Sequence, residues 1–236
     1  MLRAVTFDYW NTLVADGAFG LRDSRLEAWA GVLEGAGFAT ERERLGLAFE
    51  ASWQRFLESW ESGEQYRHVE AVLDVLEELG YDVPPDVHDA LVSTYDIPQD
   101  ADLHLTDGVA ETLVTLKSSG LKLGIICDVG MTPSSALRRF LDREGVLELF
   151  DHWSFSDEVG FYKPAREIFE HALSGVRAMP DEAAHVGDLK RTDVAGALGM
   201  GMTAVRYTGM FDDDTDGPEA HHVVGDHRKL ASLLLG

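Results

Sequence analysis

Cysteine is almost absent from this chain: its 236 residues contain one, Cys127. No internal disulfide can form, and a reducing, cytoplasmic setting is the expectation. Cations are scarce as well, with 20 lysines and arginines against 42 aspartates and glutamates, a formal charge of −22 at pH 7. Such a surface repels a nucleic-acid backbone or an anionic membrane, so neither is expected as a partner. A small anionic substrate would need a local cation to receive it. No apolar run approaches the roughly 18 residues of a membrane helix. Repeats and low-complexity tracts are missing too, apart from the acidic loop Asp212-Asp213-Asp214-Thr215-Asp216. What the chain does have is 45% hydrophobic residues, enough to bury a core as one large domain or one domain with an insertion. Monomer and homodimer both stay open.

The hydrophobic pattern changes character twice. Ala4-Val5-Thr6-Phe7 reads as a strand ending on Asp8. From about Leu21 to Tyr95 the apolar residues recur at helical spacing, as in Leu26, Trp29, Ala30 and Leu33, then Phe49, Trp53, Phe56, Leu57 and Trp60. The three tryptophans of this stretch read as core. Gly80-Tyr81-Asp82 and Pro84-Pro85 interrupt it, and a last helix is predicted from Asp86 toward Tyr95. Alternation follows: a helix from Gly108 to Ser118, the strand Leu121 to Cys127, a helix starting near Thr132-Pro133, the strand Trp153 to Phe155 and a helix from Ala165 to Leu173. Then come the strand Ala183 to Val186, a helix from Thr192 to Leu198, strands Thr203 to Tyr207 and His222 to Val224, and a terminal helix Asp226 to Leu235. Short apolar strands alternating with helices predict an α/β fold, a parallel sheet covered on both faces. The sheet would occupy residues 1–14 and 98–236, with a helical insertion over 15–97.

In such sheets ligands bind at the carboxyl ends of the strands. Asp8 ends the first strand, Cys127-Asp128 another and Gly187-Asp188 a third; Gly160-Phe161-Tyr162-Lys163-Pro164 lies between the last two. In this order the motifs resemble those of the haloacid dehalogenase (HAD) superfamily of aspartate-nucleophile hydrolases. The resemblance implies a Rossmann-like parallel-sheet core with an inserted α-helical cap domain, and hydrolase activity.

It also implies roles. Asp8 would be the nucleophile, its carboxylate attacking an electrophilic centre to form an intermediate that water later cleaves. Asn11 stands where the family has glycine, a tolerable change because asparagine also accepts left-handed backbone angles. Thr12 would orient the nucleophile loop by hydrogen bonding. Lys163 would keep Asp8 ionised and balance the charge of an incoming anion. Asp188 and Asp193, with Asp8 and the backbone carbonyl of Trp10, would form a set of hard oxygen ligands suited to Mg²⁺; Asp193 alone could equally be a helix N-cap. Substrate contacts would come from Trp10, Asn11, Cys127, Asp128, Val129, Gly130 and Lys163.

Two positions depart from the family pattern. Trp10 replaces the second aspartate, which in the phosphatases protonates the leaving oxygen; such assistance is worth about 10²- to 10⁴-fold. The dehalogenases carry an aromatic residue there, because halide needs no proton. At the second motif, Cys127 and Asp128 replace the usual serine or threonine and asparagine. A thiol is the weaker donor, and Cys127 reads as a small buried hydrophobe. Asp128 is a candidate to take over the missing proton transfer. Dehalogenases of the family typically have serine and asparagine at the places of Gly187 and Asp188 and use no metal. They receive halide on a cap arginine, for which Arg25, Arg42, Arg44, Arg55 and Arg67 all qualify. Three readings stay open: a Mg²⁺-dependent phosphatase of small phosphorylated metabolites, a metal-independent 2-haloacid dehalogenase, and a member that binds without turning over.

Overall fold

Strand β1 (Ala4–Phe7) is buried along its whole length. It pairs in parallel with β4 (Lys122–Cys127) on one side and β6 (Ala183–Gly187) on the other, Phe7 standing opposite both Ile125 and Val186. Burial on both faces is what central parallel strands require, and the runs Leu123–Cys127 and Ala183–Gly187 supply it. With β5 (His152–Phe155), β7 (Thr203–Tyr207) and β8 (His222–Val224), the six-stranded order is β5-β4-β1-β6-β7-β8. The sheet grows from β1 through β4 to β5, then resumes from β6 on the opposite side of β1. That reversal is the topological switch point at which a crevice opens. Asp8, Asp128 and Asp188 directly follow the strands that meet there.

The structure, a computed structural model, describes residues 1–17 and 20–236. It divides into two compact units: Met1–Ala15, Leu103–Asp128 and Arg138–Gly236 form the sheet unit, and Asp16–Asp102 with Val129–Leu137 form the other. In the sheet unit, helix α8 (Arg166–Val176) buries Ile168, Phe169, Ala172, Leu173 and Val176. This helical stripe packs against Ala4, Ile126 and Ala204 of the strands, each large side chain contributing about 1.5–3 kcal/mol. A Cβ on Gly196 would lie 2.2 Å from the Phe169 ring, so glycine is what lets helix α9 (Ala195–Met200) approach α8. Helices α5 (Val109–Ser118), α7 (Ser156–Val159) and α10 (Arg228–Leu235) complete the connections, while α6 (Ser134–Arg143) runs from the second unit into the first.

The helical unit contains α1 (Leu21–Gly35), α2 (Arg42–Ser62), α3 (His68–Leu79) and α4 (Pro85–Ser93). Trp29 is fully buried and meets Phe49 edge-on at 5.2 Å. Gly63 and Gly80 end α2 and α3 in the left-handed region, where glycine carries no Cβ penalty. No helix among the described residues is long and apolar enough to cross a membrane.

Several details differ from the sequence reading. Trp53 is 42% exposed; the buried face of α2 runs through Phe49, Ser52 and Phe56, and Trp53 sits about 100° round the helix from Ser52. Trp60 is half-buried. Residues Val129–Leu137 group with the helical unit, because Arg25 donates to the Thr132 hydroxyl at 2.6 Å and the Phe56 ring lies 2.7 Å from where a Gly130 Cβ would be. The segment predicted as a helix from Thr192 starts instead with a π-helical turn, Lys190–Val194, before α9. A short ribbon of β2 (Val14–Asp16) and β3 (Leu103–Leu105) has no counterpart in the sequence pattern, since three residues are too few for alternation to register.

Candidate active site

Asp8 leaves β1 with its N–H donating to the Val186 carbonyl at 2.8 Å. The chain then turns back tightly: the Tyr9 carbonyl accepts from both Leu13 and Val14, and the Asn11 N–H donates to Val14. Asn11 has φ 56°, the left-handed conformation that a short polar side chain tolerates. Trp10 is half-buried, edge-on to the Tyr9 ring at 5.1 Å, and bridges Val14 through its backbone.

Lys163 is 3% exposed and donates to both Asp8 and Asp193, the second bond at 2.7 Å. Its backbone N–H donates to Asp128 Oδ1 at 2.8 Å, so one oxygen of Asp128 holds the lysine segment in place. Asp193 lies on the π-helical turn and is enclosed by donors: Lys163 and His185 Nε2 (3.0 Å) on one oxygen, the Leu189 N–H (3.1 Å) on the other. It accepts from a residue four positions earlier and does not cap α9. His185 Nδ1 meets the Thr6 hydroxyl at 2.9 Å, linking β1 to Asp193 through one ring. The sequence reading gave His185 no role; the signal was a polar residue inside the apolar strand Ala183-Ala184-His185-Val186.

Asp8, Asp188 and Asp193 are all buried, and one oxygen from each lies within 4.8 Å of the others. One ammonium faces these three carboxylates. Burial pushes the Asp8 carboxyl up to about 6; Lys163 pulls it down while Asp193 and Asp128 push it further up. Burial, together with the charges of Asp8 and Asp193, also holds Asp188 well above the carboxylate range. For Asp193 burial works the same way but is outweighed by Lys163 and His185, which keep it far below its ordinary value. The Lys163 ammonium survives burial because Asp193 and Asp8 hold it well above the usual lysine range. Excess negative charge on hard oxygen donors fits a divalent cation such as Mg²⁺.

The remaining expected residues are placed differently. Thr12 Oγ1 is buried and has no hydrogen-bond partner among the described residues; its carbonyl is the group that is held, by Thr106 Oγ1 at 2.6 Å and His227 Nε2 at 2.8 Å. Cys127 is fully buried, and burial followed by the Asp8 charge drives its thiol well above the ordinary range. It is a packed apolar residue at the strand end rather than a nucleophile. Val129 and Gly130 belong to the helical unit. Of the five arginines weighed as halide receptors, Arg25 alone is buried, stacked 4.9 Å over the Tyr95 ring. Arg42, Arg55 and Arg67 reach acidic neighbours at the surface, and Arg44 donates to the Leu79 carbonyl.

Fold and motifs together define an aspartate-centred hydrolase of the Rossmann-like class. The family model described as haloacid dehalogenase-like hydrolase matches residues 2–201, and the chain belongs to that family. A glyceraldehyde 3-phosphate phosphatase of Methanopyrus kandleri is 30% identical over 227 residues, covering 93% of this chain and 92% of the relative. Another of that name, from Methanothermobacter thermautotrophicus, is 40% identical over 94 residues, 40% of each chain. Among solved structures, a 2-haloacid dehalogenase from Pseudomonas syringae pv. Tomato DC3000 superposes with a TM-score of 0.73 at 21% identity, covering 100% and 99% of the two chains. A HAD phosphatase from Thermococcus onnurineus gives 0.68 at 23% identity, covering 99% and 98%. At these identities the structural likeness speaks for the fold.

Proposed function

We propose that the chain is a Mg²⁺-dependent phosphatase that uses Asp8 as nucleophile on a small phosphorylated metabolite. The observation that carries this reading is the buried set Asp8, Asp188 and Asp193, with the Lys163 ammonium bonded to Asp8 and Asp193. The relatives named for glyceraldehyde 3-phosphate support a small phosphorylated substrate. Asp8, Asp188, Asp193 and the Trp10 carbonyl would hold the metal, which when bound neutralises the carboxylates and the phosphoryl oxygens. Lys163 keeps the Asp8 carboxylate ionised and placed for attack. The Asp8 oxygen bonds to phosphorus as the ester oxygen leaves, and water then cleaves the acyl phosphate, releasing phosphate and restoring the carboxylate.

Trp10 favours a second reading, a metal-independent 2-haloacid dehalogenase, because a carbon–halogen bond leaves without a proton. Phosphate release from a panel of small phosphate esters, glyceraldehyde 3-phosphate among them, distinguishes the two. The phosphatase reading expects release that needs Mg²⁺ and is lost in Asp8→Asn. Halide release from 2-haloacids that is indifferent to chelator would overturn it. Neither release, with a ligand still stabilising the fold, would mark a binding protein.

A further inference from the structure

The peptide group joining Thr12 to Leu13 is held at both ends. Its N–H donates to the Tyr9 carbonyl at 2.9 Å, and its carbonyl accepts from Thr106 Oγ1 and His227 Nε2. Tyr9 lies between the nucleophile Asp8 and Trp10, so the orientation of this one peptide fixes the turn that carries both. Thr106 is anchored in turn, its N–H donating to the Leu13 carbonyl at 3.0 Å.

His227 is built for this contact. It is fully buried, and its ring stacks on Tyr207 with centroids 4.0 Å apart and planes inclined 21°. The Asp226 carboxylate accepts the Arg228 N–H at 2.9 Å, starting α10 and setting the backbone from which the ring projects. Since a carbonyl can only accept, Nε2 must carry the proton, which makes Nδ1 the acceptor nitrogen of a neutral ring. Nδ1 is buried and has no hydrogen-bond partner among the described residues, where the polar contact of the ring is the one with Thr12. A fully desolvated histidine with one such bond is costly unless that bond matters. Burial pulls its pKa down to about 4, in keeping with the neutral donor form.

We propose that His227, outside the motifs that carry the chemistry, is a positioning residue that sets the nucleophile turn through the Thr12 carbonyl. The proposal rests on the assignment of Asp8 as nucleophile. His227→Phe keeps the ring volume and the stack on Tyr207 but removes the donor. His227→Gln restores an amide N–H at the position of Nε2.

The test compares wild type, His227→Phe and His227→Gln by steady-state kinetics at saturating Mg²⁺ and by amide hydrogen exchange over residues 9–14. For the phenylalanine variant we expect kcat to fall about 10- to 100-fold, with KM little changed and faster exchange at Leu13 and Val14. The glutamine variant should recover most of both. Wild-type kinetics and exchange in His227→Phe would overturn the proposal, as would equal losses in both variants. If the wild type cleaves no phosphate ester, the phosphatase reading fails by itself, and the exchange comparison still decides whether His227 holds the turn.

Discussion

A Cβ built on Gly187 falls 2.3 Å from Cγ of Asp193. The obstacle is no flexible tip, because Asp193 is tied to Lys163, His185 and the Leu189 N–H. Gly187→Ala should therefore displace the carboxylate. We expect a 10- to 100-fold loss of activity or Mg²⁺ affinity and about 1–3 kcal/mol of overpacking cost. Unchanged kinetics and an unchanged melting curve would show that the strand end has room to adjust.

Trp10 has no proton to give, so the leaving group should decide the rate. Aryl phosphates, whose leaving oxygens need little protonation, should be cleaved far faster than alkyl phosphates. Trp10→Asp should narrow the gap by up to about 10²-fold. Equal rates in the unmodified protein would point to another acid. Asp128→Asn would then be examined first, although one Asp128 oxygen already serves the Lys163 N–H.

Three buried carboxylates against one ammonium should make the fold sensitive to metal. Millimolar Mg²⁺ is expected to raise the melting temperature and a chelator to reverse the gain. At 100 times Kd the stabilisation would be about 2.7 kcal/mol. In Asp188→Asn the metal-dependent increment should shrink, while the metal-free protein melts no lower than wild type, since a neutral amide replaces a carboxyl whose anion burial and the neighbouring carboxylates disfavour. A full Mg²⁺ shift in that variant would exclude Asp188 as a ligand.

Away from the site, Asp151 accepts from Lys117 (2.5 Å), Lys122 (2.8 Å) and the Leu123 N–H (3.0 Å). Burial acts against its charge, but these donors pull the carboxyl down to about 2. The folded value lies below the unfolded one, so the stabilisation is fully present above about pH 4 and lost as pH falls through about 2. Partial exposure limits it to about 1 kcal/mol. Denaturant melts of wild type and Asp151→Asn should differ by that amount at pH 7 and converge near pH 2; a constant difference would disprove the linkage.

The sheet strands and most helices were legible because buried parallel strands are short apolar runs and the helices keep their period. The motifs of the family resemblance pointed to Asp8, Lys163, Asp188 and Asp193, and the fold brings these four side chains together. Tertiary contacts were not. Nothing in the local pattern says that Trp53 points outward while Trp29 points in, or that Thr12 is held by its carbonyl. His185 left a trace as a polar residue in an apolar strand. His227 left none, because its partner stands far away in the chain.

That distance has a consequence for how competence is acquired. Thr12 and His227 are separated by 215 positions, and closing so long a loop comes late and at an entropic cost. A chain synthesised from its N-terminus carries Asp8, Lys163, Asp188 and Asp193 before it carries the His227 ring that holds the Thr12 carbonyl. If the ring sets the turn as proposed, a nascent chain that already holds Asp8, Lys163, Asp188 and Asp193 gains a fixed turn only once α10 has docked.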